Sequence, residues 1–360
     1  MDLNNLILVF FIIGFGLFFY KYFLLILNKY SPKLLIDDQF EKPQAFHNSP
    51  ISIAGGTGIF FSFLIVYFYL LLFKNSIFFD YLSFCILFFF LGIIDDIKIN
   101  IRPKIRLALM IIFLILLVKY NNFYIETVGI EIINNWIKNS KIFSLIFVCV
   151  CFLFVINGAN LIDGYNGLLG LHSLIIFVNL FIINFLSNNN DLANLLLFII
   201  LILAIFLKFN FPKARIFLGD SGSYLLGVFI AISAIKTSIA NPSISPFYFC
   251  ILLFYLFFEV FFSFFRKIIK EKKSPLHPDR KHLHMLLYKI LLEKNNNKLK
   301  SNYSVSVIIN LIYLAFTIPA ILMMENGLFC KYYSIVLFIT YIFFYKKAHE
   351  KIKKISATKI

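Results

Sequence analysis

Residues 141–167 read KIFSLIFVCVCFLFVINGANLIDGYNG. From Ile142 to about position 161 the run is almost wholly apolar, and about 20 apolar residues wound as a helix cross the roughly 30 Å of hydrocarbon in a bilayer. The run closes on Asn157, Asn160 and Asp163. Their spacing of three places them on one helical face. Such a polar stripe is costly to bury in a span unless it has partners. Gly164 and Gly167 then permit a tight turn with close approach. A hydrogen-bonded seam between helices would account for the amides, but it does not need the aligned acid.

The rest of the chain repeats this pattern. Of 360 residues, 61% are hydrophobic and 14% charged, with a mean hydropathy of +0.87. Soluble domains run at about 45–50% and about 25%. Hydropathy and breakers predict an all-α polytopic membrane protein of ten or eleven transmembrane helices, near 6–27, 51–73, 77–94, 104–120, 142–161, 168–186, 192–211, 221–239, 247–268, 303–324 and 329–345. Residues 1–345 then form one transmembrane domain, and 346–360 a basic tail. The first run lacks a basic leader and a small-residue cleavage site, so it reads as a retained span. The five cysteines show no metal or disulfide spacing and read as packing residues.

Charge sets the orientation. Segments 28–50, 95–106, 208–215, 266–302 and 346–360 fall on one side and hold 27 Lys and Arg, against six on the other. Basic loops stay in the cytoplasm, so the amino terminus is predicted outside and the carboxyl terminus inside. The same excess accounts for a net charge of +16, which suits anionic lipid headgroups and anionic substrates. Nucleic acid is not expected, because the charge is spread over loops pinned to a bilayer. Two loops are predicted to have structure of their own. Residues 121–141 alternate around Gly129 as an external β-hairpin. Residues 275–294 form a cytoplasmic amphipathic helix, capped by Asp279, with Leu283, Leu286, Leu287, Ile290 and Leu291 on the membrane face.

Other polar clusters share that cytoplasmic side. Gly92-Ile-Ile-Asp95-Asp96 ends a span and runs into Lys98, Arg102, Lys104 and Arg106. Adjacent acids repel, so a metal, a cation or a shared proton is needed if both serve one site. A solvated helix end is the plainer account. Pro212-Lys-Ala-Arg215-Ile-Phe217-Leu-Gly219-Asp220-Ser221-Gly222-Ser223 opens another span. There, helix-start amides could hold phosphate and Asp220 its cation, or the segment could be an ordinary cap. Magnesium suits these oxygen ligands. His277-Pro278-Asp279-Arg280-Lys281-His282-Leu283-His284 lacks zinc spacing and suits phosphate or sugar hydroxyls, or a basic juxtamembrane patch. His47-Asn-Ser-Pro50 leads into Gly55-Gly56-Thr57-Gly58, whose glycines allow close helix packing.

In this order, the clusters resemble those of the polyprenyl-phosphate N-acetylhexosamine-1-phosphate transferases. That superfamily includes the undecaprenyl-phosphate GlcNAc-1-phosphate transferases and the phospho-MurNAc-pentapeptide translocase. HxxPxxxxGG, GxxDD, NxxNxxDGxxG, PxARxFxGDxGS and HPDRxHLH span about residues 45–290. The resemblance implies a bacterial inner-membrane enzyme with a cytoplasmic site. It implies attack by undecaprenyl phosphate on a UDP-sugar with release of UMP, requires magnesium (or manganese), and allows a homodimer. It assigns Asp95 and Asp96 to the lipid phosphate, Asp220 and Asn160 to the metal, and Asp163 to nucleotide or metal-bound water. It also implies Phe217 stacked on uracil, Lys104 or Arg106 on the lipid phosphate, and Arg280, His282 and His284 toward the sugar diphosphate. Asn157 and Asn166 join the substrate set. Asn166 stands where bacterial members commonly carry an acid, so a carboxylate role there is excluded. The histidine loop differs from the triple-His pattern of the translocase and moves the substrate toward a plain UDP-N-acetylhexosamine. A secondary transporter remains the alternative of another class, although it would carry its charges near the midplane within inverted repeats.

Overall fold

The computed structural model describes residues 3–23, 25–26, 29, 35–37, 50–74, 76–99, 101–272, 274 and 280–357. The first helices are α1 (Leu3–Phe18), α2 (Gly55–Lys74), α3 (Phe79–Asp96), α4 (Pro103–Tyr120) and α5 (Glu131–Asn139). They are followed by α6 (Lys141–Ile162), α7 (Leu168–Leu186), α8 (Asn190–Asn210), α9 (Gly219–Ala240), α10 (Pro246–Leu252) and α11 (Phe254–Phe265). The last are α12 (Leu283–Asn295), α13 (Lys298–Leu322) and α14 (Gly327–Ala357). Two short strands, β1 (Ile36–Asp37) and β2 (Ile51–Ser52), pair antiparallel, and Ser52 bridges in parallel to Ile216.

Among the described residues, eight helices are long and apolar enough to cross a membrane; α10 with α11 and its π-helical extension, bent by 76°, makes nine if taken as one broken span. The segments predicted as spans at 77–94 and 104–120 are helical, as α3 and α4, but each carries three charged residues near its ends and neither is among those eight. At the bend between α10 and α11, the Tyr313 hydroxyl donates to the Leu252 carbonyl. It thereby satisfies a backbone acceptor that a broken helix leaves open.

The bundle is built around α9, which packs on α2, α3, α6 and α7. Every position from Ser221 to Ile235 is buried. A helix that is apolar on all sides belongs in the centre, and 22 residues give it about 33 Å, roughly the hydrocarbon thickness. At its far end Lys236 pairs with Asp80 and lies over the rings of Phe78 and Tyr81, 5.4 and 5.7 Å from their centroids. Its near end carries the glycines and Asp220.

Three expectations are corrected. The 121–141 loop is not a hairpin: it holds α5, in which Ile133 and Ile137 lie one turn apart and the Val128 N–H donates to Asn134 Oδ1. Period-two alternation and a short helical stripe coexist in that sequence, and packing on α6 selects the helix. Helix α12 turns its apolar stripe to protein: Met285, Leu286 and Tyr288 are buried, Leu283, Leu287 and Leu291 pack against the core, and it packs on α13 and α14. The proposed cap Asp279 lies outside the described residues, as does His47. The basic tail is no separate unit, since α14 continues unbroken to Ala357.

Candidate active site

Four helix ends meet here: the carboxyl ends of α3 and α6 and the amino ends of α4 and α9. Segments 52–56 and 216–218 run side by side into α2 and α9. The Phe217 N–H donates to Ser52, and the Gly55 and Gly56 N–H groups donate to Phe217 and Leu218. A Cβ on Gly56 would stand 2.3 Å from the Gly222 nitrogen, and one on Gly92 would stand 2.4 Å from Ser221 Cα. Only glycine lets α2 and α3 approach the start of α9 this closely. Gly219 itself sits at φ +78, a left-handed conformation that favours glycine.

Asp96 is buried at 5% exposure. Its carboxylate accepts from the Asp220 N–H (2.8 Å), the Ser221 N–H (3.0 Å) and the Ser221 hydroxyl (2.5 Å). An acid from α3 thus caps the amino end of α9, where the helix dipole favours negative charge. Of the two readings of this segment, a phosphate cradle or a cap, Asp96 takes up two of the amides, those of Asp220 and Ser221, as a cap.

The neighbouring Asp95 holds Arg106, whose guanidinium lies 2.5 Å from Asp95 and 3.5 Å from Asp220. Arg106 therefore bridges α3 and α9 through two acids, while Lys104 is exposed. From α6, the Asn160 amide donates to Asp220 Oδ1 (2.7 Å) and to the Ser223 hydroxyl (3.0 Å). Asn157, one turn back, donates instead to Leu153 of its own helix at 2.8 Å. Asp163 ends α6. Burial, then the nearness of Asp220 and Asp96, pushes its carboxyl well above the ordinary range.

An acid raised in this way favours folding while it is protonated. That stability is present below the ordinary carboxylate pKa and is lost as pH rises toward the raised value. Asp163→Asn should therefore raise the melting temperature at neutral pH in cation-free buffer by about 2–4 °C. Paired thermal melts check this, with the gain shrinking toward pH 4.

The turn after Asp163 is held by three amides, of which the sequence singled out only Asn166. The Asn166 N–H donates to Asn302, and its side chain donates to the Pro212 carbonyl, both at 2.9 Å. The Gly167 N–H donates to Asn210 (2.7 Å), which in turn donates to the Ile216 carbonyl. Asn166 is thus a buried fastener between two loops, with one of its two amide hydrogens given to protein. Asn210 was legible as the last residue of its span before Pro212; Asn302 gave no such signal.

His282 and His284 are buried, at 4% and 0% exposure. His282 Nδ1 lies 3.1 Å from Glu259 and His284 Nδ1 lies 3.2 Å from the Tyr255 hydroxyl, both partners on α11. The two imidazoles stack in parallel at 5.5 Å. Tyr165, from the Asp163 turn, meets His284 edge-on at 5.7 Å. That contact joins the histidine loop to the acidic cluster. Arg280 remains exposed, and Phe217 is half-buried.

The profile of glycosyl transferase family 4 matches residues 78–238, a stretch that holds the acids of α3, the α6 stripe and the start of α9. The chain is 36% identical over 242 residues to the phospho-N-acetylmuramoyl-pentapeptide-transferase of Dictyoglomus turgidum, covering 64% of this chain and 75% of that one. The chain belongs to glycosyl transferase family 4. It is also 30% identical over 238 residues to the undecaprenyl-phosphate alpha-N-acetylglucosaminyl 1-phosphate transferase of Thermotoga maritima, covering 66% and 68% of the two chains. An Escherichia coli protein of the same description is 26% identical over 250 residues, covering 67% and 66%.

The donor set of this family 4 chain can be tested against the magnesium ion that the resemblance implies. Among the described residues no three His, Cys, Asp or Glu side chains form a ready metal cluster. Asp220, Asn160 and Asp163 offer oxygen donors, and Asp163 senses the negative charge of Asp220 and Asp96. Magnesium commonly takes one or two carboxylates and completes its shell with water and substrate phosphate. The residues fit a shared site of that kind.

Proposed function

We propose that this chain transfers an N-acetylhexosamine 1-phosphate from a UDP-sugar to undecaprenyl phosphate, releasing UMP and starting a lipid-linked surface glycan. The observation that carries the reading is the meeting of Asp95, Asp96, Asn160, Asp220 and Arg106 at the amino end of the central helix. An oxygen of the lipid phosphate attacks the β-phosphorus, and the bond to the UMP oxygen breaks. Such transfers depend on positioning and on neutralising phosphate charge. Arg106, held between two acids, is oriented for that work. Asp220 and Asn160 would hold magnesium, which when bound neutralises the diphosphate. Phe217, on the backbone ladder beside the site, would take the uracil face.

Arg106 lies in this site and the Pro212 loop is bonded to the turn after Asp163, so two of the segments expected to be cytoplasmic adjoin it, which favours a site on the cytoplasmic face of a bacterial inner membrane. The spelling His282-Leu283-His284, in place of three consecutive histidines, favours a UDP-N-acetylhexosamine without a peptide. The Dictyoglomus relative supports the second reading, transfer of phospho-N-acetylmuramoyl-pentapeptide. Purified protein incubated with undecaprenyl phosphate, magnesium and a panel of UDP-sugars should release UMP with one of them. UDP-GlcNAc is the expected substrate and UDP-N-acetylmuramoyl-pentapeptide the comparison. Silence across the panel would remove the transferase reading.

A further inference from the structure

The apolar segment Phe254–Phe265 carries a single acid, Glu259, at 1% exposure. An ionisable residue inside a membrane helix is rare and costly, and it asks for partners. The partners here come from the histidine loop. Oε1 accepts from the Leu283 N–H, the first amide of α12, and Oε2 faces His282 Nδ1, both at 3.1 Å. Donation from Nδ1 makes both oxygens acceptors, the arrangement a buried carboxylate needs. Beside it, Glu271 accepts from Lys281 (2.8 Å) and from the buried Arg266 (3.0 Å). The segment Lys281-His282-Leu283 is thus clamped by two carboxylates, and only Glu259 touches an imidazole.

We infer that Glu259 is a positioning residue: it holds His282 as the Nδ1–H tautomer and seats the start of α12, so that His282 addresses the phosphate-bearing substrate through Nε2. The inference rests on the transferase reading for the substrate, whereas the placement of the proton is argued from the Glu259 contact at Nδ1 and does not depend on the reaction. A ring whose far nitrogen is fixed by a carboxylate keeps both its tautomer and its orientation, and loss of such a partner typically costs about 10–100-fold.

The test uses the full chain in nanodiscs, with ¹⁵N-labelled histidine. In Glu259→Gln, the amide can serve the Leu283 N–H through its oxygen and then donates to Nδ1. The His282 proton should therefore move to Nε2, a change read directly from the imidazole ¹⁵N shifts. UMP release from UDP-GlcNAc and undecaprenyl phosphate should fall about 10–100-fold in kcat, with a smaller change in KM. His282→Asn keeps an N–H toward Glu259 while deleting Nε2. It should fold as the parent does and lose turnover to the same degree, and the double variant should be no worse than His282→Asn alone. Wild-type turnover in Glu259→Gln or in His282→Asn would overturn the inference, as would an unmoved His282 proton. If the parent chain itself released no UMP, the transferase reading would fail, while the tautomer measurement would still decide the role of Glu259.

Discussion

Asp220→Asn should leave the bundle folded and remove turnover, by about 10³-fold or more in kcat, because an oriented charge at a phosphate site is worth several kcal/mol to the transition state. The side chain is 37% exposed, so the fold does not depend on burying it. Its two oxygens serve different neighbours. Oδ1 receives the Asn160 amide, and Oδ2 faces the Arg106 guanidinium. Asn keeps an acceptor for one of these but removes the charge that draws Arg106 away from Asp95 alone, and it removes the strongest donor for a divalent ion. UMP release and a thermal melt measured together separate the outcomes. A stable variant with more than a tenth of the parent's turnover would take Asp220 out of the reaction.

Gly92→Ala should damage both fold and activity, although it adds only one methyl group. The new Cβ would lie 2.4 Å from Ser221 nitrogen and Cα and 2.6 Å from the Asp220 carbonyl carbon. These are backbone atoms at the start of the most buried helix, so no side chain can swing aside. Overpacking of this kind costs about 1–3 kcal/mol or more. Separating α3 from α9 also opens the three hydrogen bonds from Asp220 and Ser221 to Asp96, a cap worth a further 0.5–2 kcal/mol or so. The melting temperature should drop and UMP release should fall at least tenfold. Gly14→Ala is the control: its Cβ meets nothing within 4 Å, and a helical alanine in place of glycine should be neutral or mildly stabilising. Equal behaviour of the two variants would contradict the close-approach account.

Much of this was legible in the sequence, for physical reasons that also mark where it stopped. Hydropathy reads spans because a bilayer imposes a length on every crossing segment. The acids at 95–96, 163 and 220 stood out because charge is rare beside apolar runs, and Asn160 stood out by its spacing. What each acid holds depends on neighbours far away in sequence. Asp95 and Asp96 look equivalent in the chain, yet one pairs with Arg106 while the other caps α9 through donors 124 and 125 residues away. The histidines read as phosphate or sugar ligands, or as a basic patch, because they stand beside Arg280 and Lys281. In the fold, α11 supplies Glu259 and Tyr255 and turns the rings inward. Glu259 carried a signal of its own, a lone acid within an apolar run. The loop around Gly129 defeated periodicity because nine residues are too few to separate a strand from a short helix.

The central claim is that these helix ends move a sugar phosphate from a nucleotide to a lipid. The most direct test follows the β-phosphate. With UDP-GlcNAc labelled at that phosphate, the chain, undecaprenyl phosphate and magnesium should send the label into the organic phase with the lipid and leave the released UMP unlabelled, one UMP for each labelled lipid. Label that stays with the nucleotide, or appears in water as free sugar phosphate while the lipid remains unlabelled, would contradict the account.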